Sequence, residues 1–233
     1  MAAGLQVWND ASFLQIDGSS RHTVFRRKGT VLTQSLAQDG GLGDVSVAWI
    51  PCALDEFIAI SGPTPFMLAG RLSGQMRFHV FNNPGTAVTY WVFGPYTPSG
   101  TRVGLEIYNE AGTLVYDSGR LPMRVTGEVG GLGVIQLPQG RTYALVPWAQ
   151  HVNTQFSVMV LPPQTGQYFT VSSGGADFGS VDGAGLVSIT YRSYWQIASA
   201  PKDLDGNGQP PEQDSSWDNG QQNKYTVLDV TGY

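Results

Sequence analysis

The sequence is short of cysteine and of charge. Its single cysteine, Cys52, excludes an internal disulfide framework, fits a reducing compartment and is interpreted as a buried structural thiol. Only 13% of the 233 residues are charged, about half the usual share. The net charge of -5 argues against nucleic-acid binding, because that affinity comes mainly from clustered Lys and Arg side chains. The one basic cluster, Arg26-Arg27-Lys28, is interpreted as a solvated strand end.

Long apolar runs are missing as well. No stretch approaches the roughly 18 apolar residues of a membrane span. The opening "MAAGLQVWND" lacks the basic and apolar regions of a secretory signal. We therefore expect no membrane insertion.

Glycine, proline and strand-forming residues are abundant instead. The chain has 30 glycines and 14 prolines, which favour turns. Between them lie runs rich in β-branched and aromatic residues, for example "QMRFHVFN" from Gln75, "AVTYWVF" from Ala87 and "LVSITYRSYWQIAS" from Leu186. None of these runs has a helical period, so the sequence predicts an all-β fold.

One phrase occurs twice. "GLQVWNDASFLQID" begins at Gly4 and "GLEIYNEAGTLVYD" at Gly104, with six of fourteen residues identical. The alternation of apolar and polar residues predicts a β-hairpin in each copy. In the second copy, Asn109 is expected to bond the backbone two residues on, and Gly112 to take the left-handed position of the turn.

The spacing of the strands indicates sandwiches. Turn signals recur about every 8 to 12 residues, and units of about 100 residues are the usual size of a β-sandwich. We therefore predict two tandem β-sandwich-like domains, 1–100 and 101–200, built from the repeat. Residues 201–233 are interpreted as a polar arm that ends in a short strand from Tyr225, able to add to a sheet edge of its own or another subunit.

A calcium loop is the most motif-like feature. The residues at positions 1, 3, 5, 6 and 12 of such a loop would be Asp203, Asp205, Asn207, Gly208 and Asp214. Position 12 normally carries Glu, and two prolines, Pro210 and Pro211, interrupt the second half. A solvated turn is therefore favoured over calcium binding, and no metal or cofactor is assigned.

Two sets of carboxylates invite a catalytic interpretation. Asp117 lies in the triplet "DSG" of aspartic proteases, but a hairpin turn is expected there. Asp177 and Asp182 could form a glycosidase pair, but turn-forming carboxylates are the favoured interpretation. The histidines lack zinc-site spacing, and His79 is interpreted as a strand-face residue. No catalytic residue is assigned, and we expect that the protein is not an enzyme.

Aromatic residues offer one further binding hypothesis. Most are expected in the core, but Trp91 or Tyr194 on an outward face could stack on sugar rings.

The two repeated phrases resemble a family motif. Both are similar to GL-x-[VI]-[WY]-N-x-x-G-x-L-x-x-D, an opening phrase of small accessory tail proteins of long-tailed bacteriophages. The resemblance covers about 30 residues in two places, and Ser12 departs from the glycine of the motif. It implies a virion component of the tail tip or fibres, assembled in the host cytoplasm, and it implies no catalytic residues.

The function expected from these observations is structural. We expect a virion protein of the tail tip, baseplate or fibre that forms a homo-oligomer, with three-fold symmetry favoured, or docks on other phage tail proteins. Sheet edges and apolar faces would mediate assembly, with 201–233 as a clasp. The alternative is a carbohydrate-binding module for a host surface glycan, and a glycan-cleaving enzyme is the least favoured reading.

Overall fold

The structure is a computed structural model that describes residues 6–8, 14–17, 23–35, 45–100, 104–149, 152–160, 167–198, 202–203, 215–221 and 224–233. These residues form strands and turns without a helix, so the predicted all-β class is confirmed. No helix in the described ranges could therefore cross a membrane.

Nineteen strands lie in the described ranges. They are β1 (Gln6–Trp8), β2 (Leu14–Asp17), β3 (Thr23–Leu32), β4 (Gln34–Ser35), β5 (Ser46–Pro51), β6 (Phe57–Leu72), β7 (Gln75–Val80), β8 (Ala87–Pro95), β9 (Glu106–Tyr108), β10 (Leu114–Asp117), β11 (Val125–Gly130), β12 (Gly133–Gln136), β13 (Tyr143–Ala149), β14 (Val152–Val160), β15 (Gln167–Val181), β16 (Leu186–Ala198), β17 (Lys202–Asp203), β18 (Ser215–Asp218) and β19 (Lys224–Asp229).

Six of these strands form a sheet that closes on itself. Their order is β3-β8-β6-β13-β19-β11, every neighbouring pair is antiparallel, and β6 contributes its first part, Phe57–Ser61. The ends of this row meet where β3 begins. There the Phe25 N–H donates to the Leu121 carbonyl and the Met123 N–H donates to the Thr23 carbonyl, both at 2.9 Å. The closed sheet therefore has no free edge at this junction.

The long strand β6 continues from the closed sheet into a second sheet. The change of pairing partner falls at Gly62, whose φ of +154° disfavours residues with a side chain. The last part of β6 then joins the row β12-β16-β15-β6-β7-β5-β4. The first part of β15 pairs with β14, and β14 pairs in turn with β18.

The four central strands of the closed sheet are buried on both faces. In β8, Val88 and Val92 point into a core between the two sheets, whereas Trp91 and Phe93 point into the interior of the closed sheet. The same alternation holds in the first part of β6, in β13 and in β19. The core between the sheets contains Ile58, Ile60, Tyr143, Leu145, Tyr225 and Val227, and the interior contains Ala59, Ala144, Val146 and Leu228. Because both faces are apolar, these strands read as nearly continuous apolar runs.

The two copies of the repeated phrase form the same hairpin. Every pair of Cα partners in the second hairpin lies one hundred residues after its counterpart in the first, and both hairpins have a register shift before the turn. The pairs are Gln6 with Asp17, Val7 with Ile16 and Trp8 with Leu14, then Glu106 with Asp117, Ile107 with Tyr116 and Tyr108 with Leu114. The predicted internal repeat is thereby confirmed as a structural repeat.

The turn of the second hairpin has the predicted chemistry. The side-chain oxygen of Asn109 accepts the N–H groups of Ala111 and Thr113 at 3.1 and 2.8 Å. Gly112 has a φ of +73°, the left-handed conformation that glycine takes without strain.

The equivalence extends from the hairpins into the closed sheet. The pairing of β3 with β8 and the pairing of β11 with β19 contain the same one-residue bulge. In the first, Phe25 pairs with Phe93 and Arg27 with Val92; in the second, Val125 pairs with Leu228 and Gly127 with Val227. Each copy thus contributes three strands, β3, β6 and β8 or β11, β13 and β19.

The ring of strands therefore has an approximate two-fold symmetry. Reversing the order β3-β8-β6-β13-β19-β11 exchanges each strand with its equivalent in the other copy. Equivalent strands meet twice, where Ile60 of β6 pairs with Leu145 of β13 and where Val24 of β3 bridges Pro122 before β11. Both contacts are antiparallel, as a two-fold axis requires.

This arrangement does not confirm two tandem sandwich domains divided near residue 100. The core between the sheets takes residues from both 1–100 and 101–200, because strands of the two copies pair with each other. The final strand predicted from Tyr225 is confirmed as β19, but β19 lies between β11 and β13. An extended arm over 201–233 is therefore not confirmed either, and most of residues 201–214 lie outside the described ranges.

Tyr225 joins the two sheets through a close contact with glycine. Its buried ring crosses the core from β19, and its hydroxyl donates to the Phe66 carbonyl at 3.3 Å. A Cβ atom at Gly179 of β15 would lie 2.7 Å from that ring. Because the backbone at Gly179 is extended, the close approach of the ring and not the backbone conformation requires glycine there.

We expect Gly179→Ala to lower the free energy of unfolding by about 1 to 3 kcal/mol, since the new methyl group would overpack the ring of Tyr225. The matched control is Gly183→Ala, where a Cβ atom would meet nothing within 4 Å. Urea denaturation of both variants measures the difference. Equal stability of the two variants would contradict the proposed contact.

Candidate functional site: an uncharged sheet edge

The second sheet ends in a strand without charge. From Val129 to Gly140 the sequence reads VGGLGVIQLPQG, and the nearest charged residues are Glu128 and Arg141. This run contains the whole of β12, which pairs with β16 on one side. On its other side, β12 pairs with no strand of the described part of the chain. The edge therefore presents unpaired backbone donors and acceptors.

Both faces of this edge strand are exposed. Val134 and Ile135 point to opposite faces because they are adjacent in a strand, yet they are 62% and 45% exposed. Leu132, at 64%, and Leu186 of the paired strand, at 39%, extend the apolar surface. β12 therefore projects beyond the core as an apolar ridge.

Glycines bring the chain from the closed sheet to this edge. Gly131 and Gly133 have φ values of +72° and +149°, in the region that disfavours a side chain. The turn leaves a recess of about 170 Å³ beside β12, with Val187 and Ile189 of β16 in its wall. The Gln136 side-chain amide donates to the carbonyls of Leu137 and Ala184, both at 2.9 Å, and fixes the end of the strand.

The edge lacks the protection that soluble proteins usually give to an edge strand. Such strands carry lysine, proline or inward-pointing charge, which prevent pairing with another chain. Gly133–Gln136 contains none of these residues. The geometry is therefore suited to strand addition, in which backbone hydrogen bonds supply affinity and apolar side chains supply specificity.

Of the residues predicted to form a calcium loop, the structure describes only Asp203. The backbone of Asp203 lies in β17, and Asp205, Asn207, Gly208 and Asp214 lie outside the described residues. Among the residues that are described, no group of three or more His, Cys, Asp or Glu side chains could hold a metal ion. Calcium binding stays a hypothesis.

Asp117 is a structural anchor of the second hairpin. Its buried carboxylate accepts the Ser99 hydroxyl at 2.5 Å, the Ser99 N–H at 3.0 Å and the Gly119 N–H at 2.7 Å. The hydrogen bond from the Ser99 hydroxyl is the main reason that the pKa of this carboxyl lies well below its usual range. The expected turn is confirmed, and the carboxylate holds the hairpin against the chain that follows β8.

The suggested glycosidase pair does not form. Asp177 is a buried residue within β15, so its assignment to a glycine-rich turn is wrong. Asp182 does form a turn, because one carboxylate oxygen accepts the N–H groups of Ala184 and Leu186. Five residues of strand separate the two Cα atoms by roughly 16 Å, and catalytic carboxylates lie about 5 to 10 Å apart. Alternation also places the two side chains on opposite faces.

Trp91 is not an exposed sugar platform. It is 2% exposed, because both faces of β8 are covered, and the Lys28 ammonium lies 4.9 Å from its ring centroid. The side chain of Tyr194 lies outside what the structure describes. The hypothesis of an outward-facing Trp91 is therefore wrong, and that of Tyr194 stays a prediction.

The basic cluster is not a solvated strand end. Arg26 and Arg27 lie within β3, where Arg26 donates to the Pro95 carbonyl and Arg27 pairs with Glu56 at 3.3 Å. The interpretations of Cys52 as a buried thiol and of His79 as a strand residue are confirmed. Cys52 is buried, and burial raises its pKa, while His79 is a buried residue of β7.

The comparisons with known proteins give no match. No protein-family model matches the chain, and neither a curated protein nor a solved structure is significantly similar to it. The functional argument therefore stands on the repeated phrase and on the geometry of the surface.

The sequence does not single out β12 as a binding surface. Its GGLGVI segment is a glycine-rich run that leads into apolar residues. The signal that could have identified it is the absence of charge between Glu128 and Arg141, next to residues able to form a strand.

We expect Asp117→Asn to cost roughly 2 kcal/mol of stability at pH 7, since charge-assisted hydrogen bonds would be lost. The pKa of Asp117 is lower in the folded than in the unfolded chain. Its stabilisation is therefore present above the unfolded pKa, about 4, and is lost as pH falls through the folded pKa. Urea denaturation at pH 7 and pH 3 should show a smaller pH dependence in the variant. The exposed Asp55→Asn serves as a control, and an unchanged pH dependence in Asp117→Asn would contradict this role.

Proposed function

We propose that the protein is a structural component of a bacteriophage virion, at the tail tip, baseplate or fibre. Its role in this proposal is to present surfaces for assembly, not to catalyse a reaction. The repeated phrase of accessory tail proteins supports the proposal, because both copies form equivalent hairpins. The observation that carries it is the exposed, uncharged edge of β12.

The partner that suits this edge best is the same strand of a second copy. Antiparallel pairing of β12 with itself would place Val134 and Ile135 beside apolar side chains, without like charges facing each other. A net charge of -5 on each copy opposes association elsewhere, but the run from Val129 to Gly140 contributes nothing to that repulsion. This contact alone gives a dimer, and the three-fold assembly expected from the sequence would need a second contact.

A lysine at the edge should prevent this assembly. We expect Val134→Lys to be monomeric in analytical ultracentrifugation under conditions where the unchanged protein is at least dimeric, because a charge on the strand would be desolvated on pairing. At a concentration where both proteins are monomeric, its melting temperature should equal that of the unchanged protein, since Val134 is exposed. The control is Leu54→Lys, at a site that is 91% exposed in a turn, which should assemble normally. A protein that is monomeric throughout would contradict the edge as the assembly surface.

The virion assignment has its own test. Mass spectrometry of purified phage particles should detect this chain in an amount that stays constant through successive density gradients. Antibodies against the chain should label the tail by electron microscopy. A chain that is present in infected cells and absent from the particles would contradict a virion role.

A further inference from the structure

We propose that the outer face of the second sheet carries a binding site for an uncharged, polyhydroxylated ligand, a segment of neutral glycan. The site is a cleft of about 370 Å³ across β6, β15 and β16. This volume is within the range of about 300 to 1,000 Å³ that is usual for small-molecule sites. The cleft contains no residue of β12 and shares only Leu186 with the apolar surface beside that strand, and it does not rest on the proposed virion role.

Alternation along the strands gives this face a polar character. Val181 of β15 and Val187 of β16 point into the core between the sheets. The alternate positions on these strands point outward, and they include Ser180, Ser188 and Thr190, all of which line the cleft. Ser180 and Ser188 are direct cross-strand partners. The floor of the cleft is therefore a row of hydroxyl groups, each able to donate and to accept a hydrogen bond.

One of these hydroxyls, that of Thr190, lacks a hydrogen-bond partner in the described part of the chain. Its oxygen atom is buried. Burial of a hydroxyl without a partner opposes folding, so rotation of the Thr190 side chain toward a polar group in the cleft would relieve this cost. A ligand hydroxyl is suited to this position because it can act as donor or acceptor.

The ends of the cleft offer one donor and one acceptor. The Arg192 guanidinium lies over the Phe81 ring, 5.1 Å from its centroid, and forms no ion pair in the described part of the chain. Asp182 uses one carboxylate oxygen for the turn, and no described group donates to the other. These opposite charges cancel, so the lining favours a ligand that donates to one end and accepts from the other without net charge.

Apolar walls complete the match to a sugar ring. Pro63 and Pro65 of β6 line one side of the cleft, and Leu186 lies on the other. A pyranose has apolar C–H faces and polar edges, so it can contact the walls with the former and the hydroxyl row with the latter. This combination favours a glycan over an inorganic anion, which has no apolar surface.

The test is isothermal titration calorimetry of the full chain. The neutral probes are maltotriose, mannotriose and triacetylchitotriose, and the anionic probe is trigalacturonate. We expect saturable binding of at least one neutral probe and none of trigalacturonate. Thr190→Val should weaken that binding about tenfold, and Arg192→Gln at least as much. The control Thr30→Val, at an exposed position of β3, should bind normally.

Thermal unfolding distinguishes a ligand site from a structural hydroxyl. If the Thr190 hydroxyl has no partner inside the protein, Thr190→Val should be at least as stable as the unchanged protein while binding more weakly. A loss of stability in Thr190→Val would overturn the proposal, as would the failure of every neutral probe up to its solubility limit. Preferential binding of trigalacturonate would overturn the neutral character of the ligand. None of these results depends on whether β12 mediates assembly.

Discussion

Burial of both faces of the four central strands of the closed sheet is the constraint on which this structure depends. Each copy of the duplicated segment supplies three strands, and two of the three, β6 and β8 or β13 and β19, are buried on both faces. One copy alone would form a three-stranded sheet with two faces and two edges in contact with water. The two copies together close the sheet, which buries one set of side chains in its interior and leaves the other set to pack against the second sheet. The duplication is therefore the origin of the core and not a way of producing two independent units.

The proposed functional surfaces lie outside this duplicated scaffold. In the first copy, the segment between the first part of β6 and β8 forms the rest of β6 and β7. In the second copy, the corresponding segment between β13 and β19 forms β14 to β18. The cleft across β6, β15 and β16 is built from these insertions. The edge strand β12 lies between the first and second strands of the second copy. The symmetric part thus provides rigidity, and the segments in which the copies differ provide surfaces that can bind.

Much of the fold could be predicted from local patterns, because they are set by neighbouring residues. The period of two gave the strands, and the Asn109 and Gly112 turn followed from side-chain chemistry. The partners of those strands could not be predicted in this way. The pairing of Ile60 with Leu145 is a long-range contact with no local signal, and without it the repeat resembled two separate sandwiches. The prediction of an outward-facing Trp91 was wrong because one face of its strand was expected to contact water, whereas long-range pairing covers both faces. Neither Thr190 nor Val134 could be identified, because their importance depends on which faces and edges remain uncovered.

The most direct test of the shared closed sheet is to produce residues 1–100 and 101–233 as separate chains and to follow their unfolding by circular dichroism. The account predicts that neither fragment unfolds cooperatively alone, and that an equimolar mixture gives one complex with a single cooperative transition. A fragment 1–100 that folds by itself, with a transition unaffected by the other fragment, would contradict it.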